Sequence, residues 1–256
     1  MLLHDYANRS DVRVVALPRG GVPVAYEVAS ALLAPLDVLL VRKLGVPGRP
    51  ELAMGAIAAG GVEVVSEDLI QQLRISRSLV AEIAARERVE LDRRDRVYRG
   101  GGQPSVLGGC TVILVDDGLA TGSTMEAAIL AVRQRAPLRS VVAVPVGARD
   151  ACARRRGVAD EVVCPVSPEP FTAVGLWYAH FPQTSDDEVI RLLAAGVGGR
   201  AGSPAGPAPK RGSLGAVRRR AQPRALTLTG PWPGMGSRPP RPFRPGGHPP
   251  YEQDQT

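Results

Sequence analysis

Little in this chain points to metal or disulfide chemistry. Its three cysteines, Cys110, Cys152 and Cys164, are odd in number and nowhere stand in C-x-x-C spacing, which argues against a disulfide scaffold or a zinc ribbon. Lying beside or within apolar stretches, they read as small core residues of a reduced, cytoplasmic protein. The three histidines, His4, His180 and His248, are too scattered to suggest a metal site. No apolar run reaches bilayer-spanning length, because Glu27 and Asp37 interrupt the most hydrophobic region. The N-terminus lacks the charged-then-apolar order of a signal peptide. The expectation is a cytoplasmic protein without membrane contact.

Excess positive charge is also absent from most of the chain. Residues 1–196 hold 22 Lys and Arg against 23 Asp and Glu, whereas residues 197–256 hold 10 against 2. The formal charge of +7 therefore belongs to the last segment, and a nucleic-acid face is not expected on the first part. Residues 197–256 also hold 12 of the 24 prolines and few large apolar side chains. Such a segment cannot bury enough apolar surface to offset its ordering entropy. The chain divides accordingly into a domain at 1–196 and a disordered Pro/Gly/Arg-rich tail at 197–256. The tail's Arg218-Arg219-Arg220 cluster could touch nucleic acid weakly through phosphates, although a solvated linker is the plainer reading.

The remaining pattern is one of alternating strands and helices. Val12–Leu17 reads as a strand, residues 22–33 as a helix and Asp37–Val41 as a second strand ending at Arg42-Lys43. Gly60-Gly61 between two short apolar stretches signals a hairpin. Ser66 is positioned to cap a short helix, and Ser76 or Ser78 a long one reaching Tyr98. That long helix is rich in i,i+4 charge pairs such as Glu90–Arg94 and reads as largely solvated. Met125, Ile129 and Val132 recur at helical spacing, followed by strands at Val141–Val146 and Glu161–Cys164 around a short helix. The alternation predicts an α/β fold, doubly wound on a mainly parallel sheet of about five strands.

Residues 112–124, Val-Ile-Leu-Val-Asp-Asp-Gly-Leu-Ala-Thr-Gly-Ser-Thr, carry the most chemistry. An apolar run reads as a buried parallel strand, and the loop after its carboxyl end is where open α/β sheets bind ligands. The backbone N–H groups of a helix start, with the Thr121, Ser123 and Thr124 hydroxyls beside them, form a phosphate site. Asp116 and Asp117 can accept hydrogen bonds from vicinal sugar hydroxyls. Diol and phosphate together describe a ribose 5-phosphate. A strand-to-helix turn with a solvated acid pair is the bland alternative. The full pattern closely resembles the phosphoribosyl-diphosphate (PRPP) signature of the type I phosphoribosyltransferases. The resemblance covers roughly residues 11–190.

Several expectations follow from that resemblance. Asp116 and Asp117 would hold the ribose hydroxyls, and Gly118, Leu119, Ala120, Thr121, Gly122, Ser123 and Thr124 would cradle the 5-phosphate. Pro18-Arg19-Gly20-Gly21 occupies the place of the loop that binds the pyrophosphate leaving group, often through a strained peptide bond, which assigns Arg19, Gly20 and Gly21 to pyrophosphate. Arg42 and Lys43 resemble the Arg-Lys segment of adenine-type members, where cations neutralise developing charge; Lys43 is the preferred of the two. Arg19, Lys43, Asp116 and Asp117 form the expected catalytic set. A small hood near the end of the core would carry the base, with Phe171, before Val174-Gly175, as the stacker and Trp177 and Tyr178 lining it. Ala120 stands where hypoxanthine–guanine enzymes have Asp and adenine-type enzymes Ala, which shifts the odds from 6-oxopurines without naming adenine.

The implied reaction transfers ribose 5-phosphate from PRPP to a nitrogenous base or similar nucleophile and releases pyrophosphate. Mg²⁺ would enter with PRPP, with no resident metal site, and a homodimer is expected. The alternative is a PRPP-sensing or regulatory module on the same fold, possibly RNA-binding. The family usually opens with a helix before the first strand, so a core thinly covered at its front is also expected.

Overall fold

The computed structural model describes residues 2–100 and 102–196. The predicted tail, with its arginine cluster, lies outside the described residues. The first half of the chain forms β1 (Val12–Ala16), α1 (Gly21–Leu32), β2 (Leu36–Val38), β3 (Val41–Val46), β4 (Arg49–Ala58), β5 (Val62–Val65), α2 (Glu67–Gln72) and α3 (Arg77–Arg99). The second half adds β6 (Thr111–Val115), α4 (Ser123–Arg133), β7 (Arg139–Ala143), α5 (Arg149–Arg155), β8 (Glu161–Val163) and α6 (Asp186–Ala195).

Five strands pair in parallel in the order β2-β1-β6-β7-β8. All five residues of β6 are buried, as expected for a parallel strand covered on both faces. Alternate side chains serve two cores. Val14, Ala16, Ile113 and Val115 join the side chains of α1, α3 and α6 on one face, while Val15, Val112, Leu114 and Val142 join those of α4 and α5 on the other. The chain winds outward from β1 to β2, then returns to β6 and winds the other way. The order thus reverses between β1 and β6, where open sheets leave a crevice at their carboxyl ends.

A second sheet, β3-β4-β5, is antiparallel. Its β4–β5 turn holds Gly60 and Gly61 at φ +85° and +81°, a conformation that favours glycine. The expected second strand divides here. Leu39 N–H bonds Ala16 O at 3.0 Å beside the first sheet, and Ala59 N–H bonds Leu40 O at 3.0 Å beside the second. With Leu39 and Leu40 both buried, the apolar run passes from one sheet to the other. Arg42 and Lys43 consequently lie inside β3, opposite Ile57 and Ala56, and not at the end of a main-sheet strand.

Helix α3 starts where Ser76 Oγ accepts from Leu79 N–H at 3.3 Å and ends at Gly100, φ +56°. Despite its charge, Val80, Ile83, Ala84, Leu91 and Tyr98 are buried. Arg99 ties its end to the sheet. Its guanidinium reaches Asp37 Oδ1 at 2.5 Å, Asp95 Oδ1 at 2.8 Å and Val38 O at 2.6 Å, and Asp37 Oδ2 also accepts from Ser105 N–H at 2.7 Å. At the front, Leu3 and Tyr6 are buried in the first core. Tyr6 donates to Glu161 Oε2 at 2.5 Å, and burial, followed by that carboxylate, pushes its phenol up to about 12. Among the described residues no helix is long and apolar enough to cross a membrane.

Candidate functional site

The loops after β1 and β6 flank the crevice, and the backbone clamps them together. Leu17 N–H donates to Val115 O at 2.9 Å and Gly21 N–H to Leu17 O at 3.1 Å. The intervening Pro18–Arg19 peptide is cis. Both glycines stand in close approach to the acid pair. A Cβ on Gly21 would lie 2.7 Å from Val115 O and 2.8 Å from the Asp116 Cα, and one on Gly20 would overlap the Asp117 carboxylate. The predicted pyrophosphate turn therefore presses directly against the predicted acid pair. Arg19 leans across to α6, with Nη1 3.7 Å from Asp186 Oδ1. Tyr98 Oη donates to that same oxygen at 2.7 Å.

The two carboxylates differ in setting. Asp116 Oδ1 accepts from the Asp117 backbone N–H at 2.9 Å. Burial, and then the Asp117 charge, raise Asp116 well above the usual carboxylate range. Asp117 is also raised by burial, with the Gly118 backbone opposing the rise. Ionised carboxylates at such a site are costly unless a ligand supplies donors or a cation.

Beyond them the loop is pinned from behind. Leu119 is buried, its N–H bonded to Val146 O at 3.0 Å and its C=O accepting from Ala148 N–H at 2.8 Å. Its contribution is thus anchorage. Gly118 is tight against Val174, whose methyls would stand 2.8 Å from an added Cβ. Gly122 takes φ +74° and its C=O accepts the first helical bond, from Glu126 N–H at 2.9 Å. Helix geometry leaves the earlier N–H groups of α4 without intrahelical acceptors. The Ser123 N–H reaches only Thr121 Oγ1, at 3.4 Å, and the Thr121 and Ser123 hydroxyls stand 3.3 Å apart. Exposed donors converging at a helix start form an anion site.

Two clefts open here, one beside Asp117 and one beside Thr124. One, of about 510 Å³, is lined by Arg19, Gly20, Glu27, Asp117, Tyr178 and Phe181, among others. The other, of about 720 Å³, holds Arg42, Lys43, Arg86, Glu87 and Thr124. Arg42 pairs with Glu87 of α3 at 2.6 Å. Phe171 and Trp177 line neither cleft. Tyr178 does line the first. It donates to Asp117 O at 2.5 Å, and burial followed by the two aspartates raises its phenol. Its ring lies 4.9 Å from that of Phe181, which is seated over Gly175. The segment around the 3-10 turn at Val174–Trp177 thus covers Asp117 and Gly118. Sequence reasoning missed Phe181 as a cleft residue, and it missed Arg86 and Glu27. Phe181 was visible as a neighbour of Val174-Gly175; a charged residue on a helix carries no comparable signal.

A doubly wound sheet whose switch-point loops oppose an acid pair to a Gly-Gly turn, beside an open helix start, defines the class of fold to which the chain belongs. A profile of the phosphoribosyl transferase domain matches residues 2–175, and the chain belongs to that family. Proteins of two Mycobacterium tuberculosis strains that carry provisional phosphoribosyl transferase names are 48% identical over 182 residues, covering 71% of this chain and 41% of theirs. The chain thus spans less than half the length of those relatives. A Thermus thermophilus crystal structure is 42% identical at a TM-score of 0.70, covering 76% of this chain and 91% of that one.

Proposed function

We propose that the protein transfers ribose 5-phosphate from PRPP to a nitrogen nucleophile and releases pyrophosphate. The observation that carries this reading is the contact of the Gly20-Gly21 turn with Asp116 and Asp117 at the switch point. On this reading Asp116 and Asp117 accept from the ribose hydroxyls, and the N–H groups and hydroxyls of residues 120–124 hold the 5-phosphate. Arg19 with Gly20 and Gly21, aided by Lys43 and Arg42 across the loop, receive the leaving diphosphate. The acceptor lies in the cleft of Tyr178 and Phe181, whose rings offer a stacking wall. Phe171 and Trp177, the other expected base contacts, stay outside it.

Because charge develops on the anomeric carbon and the departing oxygen, positioning and electrostatics supply most of the catalysis. The site's donors are carboxylate and backbone oxygens, which suit Mg²⁺; carried in with PRPP, that ion would neutralise diphosphate charge. A homodimer belongs to the same proposal.

The test is pyrophosphate release from PRPP and Mg²⁺ with a panel of bases, adenine first. Release that needs an acceptor and falls at least about tenfold in Lys43→Ala supports transfer. PRPP binding without release on any acceptor would favour the regulatory reading.

A further inference from the structure

Against the phosphate loop, and lining neither cleft, lies a cation that no signature motif contains. Arg155, in the last turn of α5, is only 3% exposed. Its Nε donates to Gly122 O at 3.1 Å, its Nη2 to Thr121 O at 3.3 Å, and Nη2 also lies 2.9 Å from Glu126 Oε2. Glu126 is about half exposed, so its charge is partly solvated while the guanidinium is not. Burial lowers the pKa of Arg155, yet a guanidinium remains charged in proteins. A desolvated cation is costly to maintain, and here it is aimed at two carbonyls of one short loop.

The two carbonyls are informative because each shares a peptide plane with an N–H. Thr121 C=O is joined to the Gly122 N–H, and Gly122 C=O to the Ser123 N–H. In a trans peptide the N–H points opposite to its C=O. A cation gripping both carbonyls from behind therefore turns both N–H groups towards the crevice. It also draws electron density along each peptide, which strengthens those N–H groups as donors. Gly122 O keeps a second lone pair for Glu126 N–H, so the grip does not compete with the helix start. The fit is mutual: a Cβ on Gly122, whose positive φ already favours glycine, would lie 3.0 Å from the Arg155 guanidinium carbon and crowd it.

We propose that Arg155 is the positioning residue of the phosphate loop, acting through the Thr121–Gly122 and Gly122–Ser123 peptides to set affinity for a terminal phosphate monoester. The inference rests on the phosphoribosyl reading of the site, and it names a residue that touches no substrate. It separates the two phosphate-bearing ends of PRPP: Arg155 serves the loop after β6, whereas the leaving diphosphate belongs to the turn after β1.

The experiment is calorimetric titration of the full chain, and of Arg155→Lys and Arg155→Met, with three probes. These are ribose 5-phosphate, pyrophosphate with Mg²⁺, and PRPP with Mg²⁺. Arg155→Met is expected to weaken ribose 5-phosphate and PRPP roughly tenfold or more, the scale of a charge-assisted hydrogen bond, while leaving pyrophosphate unchanged. Arg155→Lys, which keeps the charge but cannot fork across two carbonyls, is expected to recover part of that loss. Should Arg155→Met not fold, Arg155→Lys alone carries the comparison, with a selective loss for ribose 5-phosphate expected. An equal loss for all three probes, or none, would overturn the proposal while leaving the phosphoribosyl reading intact. Failure of the unaltered protein to bind any of them would overturn both.

Discussion

Gly20 and Gly21 stand side by side, yet the structure gives them different jobs. Gly21 faces backbone, Val115 O and the Asp116 Cα, which cannot yield without moving β6. Gly21→Ala is therefore expected to cost about 1–3 kcal/mol, the range for overpacking, measured by denaturant unfolding. Gly20 faces only the Asp117 side chain, which can swing aside. Gly20→Ala should keep most of the stability and lose ligand binding. Asp116 gives a third contrast. Its pKa is raised in the folded protein, whereas an unfolded aspartate sits at about 3.9. Stability from this group is thus full below the unfolded value and is lost as pH rises through the folded one. At neutral pH the buried carboxylate costs stability, so Asp116→Asn is expected to stabilise the free protein by about 1 kcal/mol while weakening PRPP binding. Binding needs the ionised pair, so affinity should fall as pH is lowered through the raised range. Calorimetric titration with PRPP across a series of pH values checks this direction.

At the scale of elements, the loops depend on supports distant in sequence. The Arg99 cluster joins the end of α3 to β2 and to the approach to β6, with Arg99 and Asp37 side chains only 8% and 14% exposed. Arg99→Leu leaves Asp37 buried without its cation and is expected to cost about 3–5 kcal/mol, read as a lowered denaturation midpoint. The strands, α4 and the phosphate loop were legible because each has a local signal: an apolar run, i,i+4 spacing, glycine beside hydroxyls. Arg42-Lys43 was misplaced because an apolar run through Leu39 and Leu40 does not reveal that it changes sheets. The segment carrying Tyr178 has a local signal in Val174-Gly175, but sequence proximity does not show that the ring lying against Gly175 is that of Phe181. Arg155 and Glu27 gave no signal; only the packing of α5 and α1 places them.

For the whole molecule, the sheet order sets where the crevice opens, between β1 and β6. Reversal between β1 and β6 puts the two predicted loops on one crevice. The central proposal is a PRPP site built on Asp116 and Asp117. Its most direct test is calorimetric titration of the full chain with PRPP and Mg²⁺ beside an Asp116→Asn, Asp117→Asn double variant. Micromolar binding is expected of the unaltered protein and none of a folded double variant. No binding by the unaltered protein, or equal binding by both, would contradict it.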